Sequence, residues 1–269
     1  MARKPTRTAA ETLPVAPYIG GKRNLAKRII ERIEAIDHRN YAEPFVGMGG
    51  VFLRRRHPAR AEVINDYSQD VATFFRILQR HYLPFVEMMR FQITTRAEFE
   101  RLSATDPSTL TDLERAARFL YLQRTAFGGK VTGRNFGVSP DLRSRFDITR
   151  LVPMLDALHE RLAGVVIERL PYAEFIRRYD RPATLFYLDP PYWGSESEYG
   201  PTFGRDDFEA LQEQLRGLSG RFMMSINDVP EIREMFSGFD IEAVKTTYSV
   251  ARKASKTAGR AGELIIQGP

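Results

Sequence analysis

The chain contains no cysteine in 269 residues, which excludes disulfide frameworks, thiolate metal sites and cysteine nucleophiles together. Histidine is scarce. His38, His57, His81 and His159 show no ligand spacing, so no metal site is expected. No apolar run approaches membrane-spanning length, and no signal-type apolar segment follows the start. The expectation is a soluble, cytoplasmic protein with no membrane partner. Internal repeats and low-complexity segments are missing as well. What is present, 43% hydrophobic and 28% charged residues, is the balance of a folded chain able to bury a sizeable core.

Acids are locally scarce too. "MARKPTRTAA" carries Arg3, Lys4 and Arg7 before the first acid, Glu11, and "ARKASKTAGRAG" carries Arg252, Lys253, Lys256 and Arg260 with none. Singly, each such stretch reads equally well as a solvated tail or loop. Two of them on a chain of net charge +6 favour a polyanionic partner, because small residues between the charges let a loop lie along phosphates.

Periodicity then organises the chain. Leu25, Ile29, Ile30, Ile33 and Ile36 stand at helical spacing, predicting an amphipathic helix over about 23–37 that opens on the glycine turn "GGK". "YAEPFVGMGGVFL" reads as strand, glycine-rich turn and helix. "AEVIND" reads as a strand ending in Asn65-Asp66, and "VATFFRIL" returns to helical spacing. Strands alternating with helices imply a parallel, doubly wound α/β sheet. Residues 76–150 break the alternation. They hold helical patterns, a capping-box "TDLE", and a loop or β-hairpin, "GGKVTGRNFGVSP". We read an inserted, mainly helical domain at 76–150 between the two parts, 1–75 and 151–269, of a larger one. Alternation resumes with a helix near 150–163, the strand "GVVIERL", a helix at 172–179 and the strand "LFYLDPPY". A helix at 207–218, the strand "RFMMSIND" and an antiparallel pair, "VKTTYSV" and "ELIIQ", complete the chain.

Three strand ends carry the chemistry. "EPFVGMGG" leaves its strand through glycines that admit a ligand close to the backbone, although its spacing is not the full dinucleotide fingerprint. Asp66 ends the next strand, where an acid commonly accepts ribose hydroxyls. Leu185 to Leu188 form a continuous apolar run that two prolines must stop at Asp189. An isolated Asp of this kind is most simply a turn residue. Three in order can converge, because ligands of such sheets bind beyond the strand C-termini. Asp189 and a rigidly held proline carbonyl can accept both protons of one exocyclic amine, with Tyr192 stacking on its base. A duplex base reaches such a pocket by leaving the stack. Acceptors aimed at the amine stabilise the charge it gains when it attacks a methyl donor.

The ordered set "YIGGK", "EPFVGMGGVFL", "INDYSQD", "FLYLQR", "YLDPPY", "SIND" and "ELII" runs through nearly the whole chain. In it the sequence resembles the Dam-type (α-group, D12 class) DNA adenine-N6 methyltransferases. The resemblance implies S-adenosylmethionine as cofactor, a class I methyltransferase (Rossmann-like) sheet, and a target-recognition role for 76–150. It assigns cofactor binding to Tyr18, Lys22, Phe45, Gly47, Gly49, Asp66 and Asp189, with Gly50 shaping the same loop. Catalysis falls to Asp189, Pro190, Pro191 and Tyr192. Double-stranded DNA is the implied partner, met by Arg124, Lys130, Arg134, Arg252, Lys253 and Lys256 and bound by a monomer, in the setting of restriction–modification. Tyr18 stands where relatives often carry Trp, and the segment after "FLYLQR" departs from GATC-recognising members, so GATC is one candidate target. Arg124 suits either guanine readout or a phosphate. Methylation of RNA or of cytosine N4 uses nearly the same pocket. A catalytically silent nucleic-acid binder is the alternative of another class, against which the intact Asp189-Pro-Pro-Tyr192 argues.

Replacing Arg252, Lys253 and Lys256 by alanine is expected to weaken binding to all DNA sequences alike. Each lost phosphate contact should lower the log–log salt slope by about 0.9. Titrations at several salt concentrations check this, and a changed sequence preference at constant slope would mean that the loop reads bases.

Overall fold

Residues 12–18, 20–137, 141, 143–195, 203–245 and 262–268 are described in the computed structural model of the chain. Seven strands form one sheet: β1 (Asn40–Glu43), β2 (Ala61–Asn65), β3 (Val166–Glu168), β4 (Thr184–Leu188), β5 (Arg221–Asn227), β6 (Asp240–Lys245) and β7 (Gly262–Gly268). Their order is β3-β2-β1-β4-β5-β7-β6. All neighbours run parallel except β7, which is antiparallel to both β5 and β6. This is the doubly wound, mostly parallel arrangement expected of a class I methyltransferase (Rossmann-like) sheet. The strand order reverses between β1 and β4, so the crevice for a ligand opens at their carboxyl ends.

The two faces of the sheet follow from the two-residue period of a strand. Tyr41, Leu185, Tyr187, Met223 and Ile265 point to one face; Ala42, Phe186, Leu188, Phe222, Met224 and Leu264 point to the other. The first face is covered by α1 (Ala26–Ala35) through Ile29 and Ile33, and by α2 (Gln69–Arg80) and α6 (Ile148–Arg161). The second is covered by α7 (Tyr172–Tyr179), α8 (Arg205–Arg216) and α9 (Pro230–Met235).

Between β2 and β3 the chain adds α3 (Tyr82–Arg90), α4 (Arg96–Ala104) and α5 (Asp112–Thr125). Phe74 of α2 packs edge-on against Phe85 of α3 and Phe119 of α5, at 6.1 and 5.7 Å between ring centroids. These helices therefore share one apolar cluster with the α1 face of the sheet. The capping box expected at Thr111 is present: its side chain accepts from Glu114 N, and Glu114 accepts from Thr111 N at 2.9 Å.

Two local expectations change. After the glycine turn a helix was expected, but the chain makes only a short 3-10 turn, Phe52–Arg54, and is extended by Arg55. The reason is Arg55 itself. It is fully buried, with its guanidinium 2.7 Å from Glu62 and 3.6 Å above the Tyr41 ring, which pulls the chain inward toward β2. The last strand pair also begins earlier than the pattern suggested, since β6 is already in register with β7 at Asp240.

Glu62 is also held by Arg161 of α6, at 2.7 Å, so one carboxylate joins β2, α6 and the segment after the glycine turn. All three side chains are at least nine-tenths buried. Glu62→Ala would leave two buried guanidiniums without a counter-charge, and removing one partner of such a group costs about 3–5 kcal/mol. Urea unfolding of wild type and variant is the measurement; a loss below 1 kcal/mol would show the network to be dispensable.

Candidate functional site

Three strand ends meet as the topology requires. After β1 the chain turns through Gly47 and Gly49, at φ +50° and +74°, conformations that a side chain would strain. The Tyr18 ring lies against this turn, so close that a Cβ on Gly47 would come within 3.1 Å of it. Asp66, just past β2, accepts from Gly47 N and Ser68 N, each at 2.9 Å. Burial pushes its carboxyl up to about 6, against the pull of those two N–H groups. Asn65 knits the strand ends further, donating to the Pro44 and Leu170 carbonyls and accepting from Leu170 N.

At the end of β4, Asp189 accepts from Lys22 Nζ at 2.7 Å. Lys22 sits in the turn ahead of α1 and is 3% exposed. Its ammonium also reaches the Tyr192 hydroxyl at 2.7 Å and Glu263 Oε1 at 2.9 Å, and lies 4.4 Å from the centre of the Tyr192 ring. The Tyr192 hydroxyl in turn donates to Glu263, at 3.0 Å. Burial pushes the Asp189 carboxyl up to about 6; Lys22 opposes this, Glu263 adds to it, and a Ser225 hydrogen bond opposes it. Glu43, at the end of β1, is fully buried and pushed up to about 8 by that burial, with the Tyr41 hydroxyl and Arg55 opposing and Asp189 adding. The segment after Asp189 is fixed by Asn227 of β5, which accepts from Trp193 N and donates to Trp193 O, both at 3.0 Å.

The expected residues thus fall into groups. Lys22, Asp189 and Tyr192 are in direct contact, with Pro190 and Pro191 buried between the last two. Tyr18, Gly47, Gly49 and Asp66 form a second group around the glycine turn. Phe45, next to the glycine turn in sequence, packs on Tyr172 and Phe203 at 5.7 and 5.8 Å. Arg124 spends its guanidinium on backbone: it donates to Val15 O at 2.6 Å and to Arg145 O. Lys130 is exposed, and Arg134 donates to its carbonyl at 3.1 Å. These two stand on a hairpin-like loop closed by an Ala126–Phe136 bridge. Gly129 in that loop abuts the Tyr18 backbone, where an added Cβ would come within 3.0 Å. Gln123 clamps the contact by donating to Pro17 O and Gly129 O. Arg252, Lys253 and Lys256 lie outside the described residues.

Sequence reasoning missed Glu43, Ser225, Asn227 and Glu263. All stand at the ends of strands beside Asp189, on the face already carrying Tyr41, Met223 and Ile265. The signal for Glu263 was available, since it stands two residues before the buried Ile265 and so on the same face. Among the described residues no group of three or more His, Asp or Glu could hold a metal, and no helix is long and apolar enough to cross a membrane.

A type II methyltransferase of Lactococcus lactis subsp. cremoris is 23% identical over 276 residues, covering 94% of each chain. The DNA N-6-adenine-methyltransferase of Escherichia phage P1 is 27% identical over 274 residues, which are 92% of this chain and 34% of that longer one. The DNA adenine methylase of Vibrio cholerae serotype O1 is 23% identical over 266 residues, 88% of this chain and 90% of the other. Among solved structures, an rRNA methyltransferase of Streptomyces viridochromogenes shares 14% identity at a TM-score of 0.40, over 96% of this chain and 86% of that one. With a family match running over residues 18–250, the chain belongs to the D12 class N6 adenine-specific DNA methyltransferases.

Proposed function

We propose that this protein transfers a methyl group from S-adenosylmethionine to the N6 amine of an adenine swung out of double-stranded DNA. The observation that carries the reading is Asp189-Pro190-Pro191-Tyr192, fixed at the switch point of the sheet beside the glycine turn. The cofactor's requirements fit the residues present. Gly47 and Gly49 let the backbone turn tightly at the mouth of the crevice, Asp66 offers lone pairs for ribose hydroxyls, and the Tyr18 ring forms a wall. When bound, S-adenosylmethionine supplies a methyl group on a positively charged sulfur, which leaves as a neutral thioether.

The chain's own residues do the rest. Asp189 and the adjacent proline carbonyl accept from the amine's two protons, orienting its lone pair and stabilising the positive charge that grows on nitrogen. Tyr192, its hydroxyl fixed, presents a ring for stacking on the base. A paired base inside a duplex presents its amine to its partner, so it meets Asp189 only by leaving the stack, and an exocyclic amine already held by two acceptors has a reason to stay out. We assign target recognition to 76–150, with Lys130 and Arg134 on the loop that abuts Tyr18 meeting DNA. Arg124, at the end of α5 with its guanidinium held by the carbonyls of Val15 and Arg145, is assigned to the same DNA-facing segment. The restriction–modification setting and a cytoplasmic, monomeric state belong to the same reading.

Asp189 accepts hydrogen bonds from an amine only as a carboxylate. With its carboxyl pushed up to about 6, turnover at saturating substrates is expected to fall as pH drops through that value, because protonation removes the acceptor. Asp189→Ala should lower turnover by about 100–1000-fold, the cost of losing one preorganised electrostatic partner, while the protein stays folded and binds DNA. Transfer of labelled methyl to duplex DNA, single strands and RNA in parallel is the assay. Near-wild-type activity in a folded Asp189→Ala protein, or transfer confined to RNA, would sink the reading.

A further inference from the structure

We propose that Glu263 is a positioning residue for methyl transfer, holding Lys22 and the Tyr192 hydroxyl so that Asp189 keeps its lone pairs turned to the target amine. The inference rests on the assignment of Asp189 as the amine acceptor. Glu263 lies on β7, opposite Asn227 of β5, and is wholly buried. A carboxylate removed from water in this way is stable only when its charge is compensated. The next residue on the same face, Ile265, is apolar, so the strand does not need an acid there for packing. What the acid does is specific. Its Oε1 accepts from Lys22 Nζ at 2.9 Å and from the Tyr192 hydroxyl at 3.0 Å, while Lys22 is 2.7 Å from Asp189.

Two carboxylates thus share one ammonium. Without the charge of Glu263, Lys22 would turn its full attraction on Asp189, drawing that carboxylate away from an incoming amine. The Tyr192 hydroxyl would lose the acceptor that fixes its ring. The groups facing Asp189 are Lys22 from the turn before α1, Glu43 from β1, Ser225 from β5, Tyr187 from β4 and Glu263 from β7. Of these, Glu263 touches both Lys22 and the Tyr192 hydroxyl. Its negative charge also opposes ionisation of Asp189, so removing it makes Asp189 easier to ionise.

Three variants test this. Glu263→Gln keeps size and removes charge. Turnover at saturating cofactor should fall about 10–100-fold, the scale of a misplacement near 1 Å. The acid limb of the pH–rate profile should move to lower pH, with the KM for cofactor little changed. Glu263→Asp keeps the charge but withdraws it from Tyr192, so turnover should fall while the acid limb stays at its wild-type position. An unmoved acid limb in folded Glu263→Gln, or wild-type turnover in it, overturns the proposal and reduces Glu263 to a structural pair. If Glu263→Gln does not fold, Tyr192→Phe decides: it removes the held hydroxyl and keeps the ring, and wild-type turnover in it is equally fatal. Wild-type protein that transfers no methyl group to DNA would instead overturn the reading of the site itself, a result distinguishable from failure of the variants alone.

Discussion

One buried ammonium holds this site together. Lys22 comes from the turn before α1, Asp189 from the end of β4, Tyr192 from the loop beyond it and Glu263 from β7, and all converge on Lys22 Nζ. A lysine 3% exposed is costly alone and tolerated only when acceptors compensate its charge. The same arithmetic fixes the acids around it, since each carboxylate pushed up by burial is kept ionisable by a neighbour that donates to it. Charge compensation, more than apolar packing, therefore decides where these side chains point.

The apolar frame makes that compensation affordable in geometry. Each strand near the crevice presents apolar residues to the α1 face until its last turn toward the pocket, where a polar one replaces them: Tyr41 gives way to Glu43, Met223 to Ser225, Ile265 to Glu263. At the pocket end this face is therefore lined by polar side chains. Asn65 and Asn227 then satisfy backbone groups of Pro44, Leu170 and Trp193, where the chain leaves the sheet.

Much of the frame was legible because it is written in local patterns. The helix at 172–179 and the capping box at Thr111 follow from spacing within a few residues. Asp189 was legible for a similar reason, as an apolar run stopped by two prolines allows one strand end. What could not be read depends on partners far away in sequence. Arg55, within the basic run "RRRH", is wholly buried because Glu62 and the Tyr41 ring receive it. The partners of Arg124 are equally remote: its guanidinium donates to the carbonyls of Val15 and Arg145. Polar residues at strand ends pass for turn formers until the sheet order reveals which are covered.

The antiparallel placement of β7 has a consequence for how the protein is made. Because β7 runs against β5, its first residues, Glu263 among them, lie at the pocket, although they follow every other element of the sheet in sequence. During vectorial synthesis a nascent chain ending before β7 holds Lys22 and Asp189 without their second carboxylate, and leaves one side of β5 as an unpaired edge. Contacts spanning nearly the whole sequence close late, and late closure slows folding. The charged centre of the pocket is therefore among the last things to exist, and an incompletely translated chain carries no finished site.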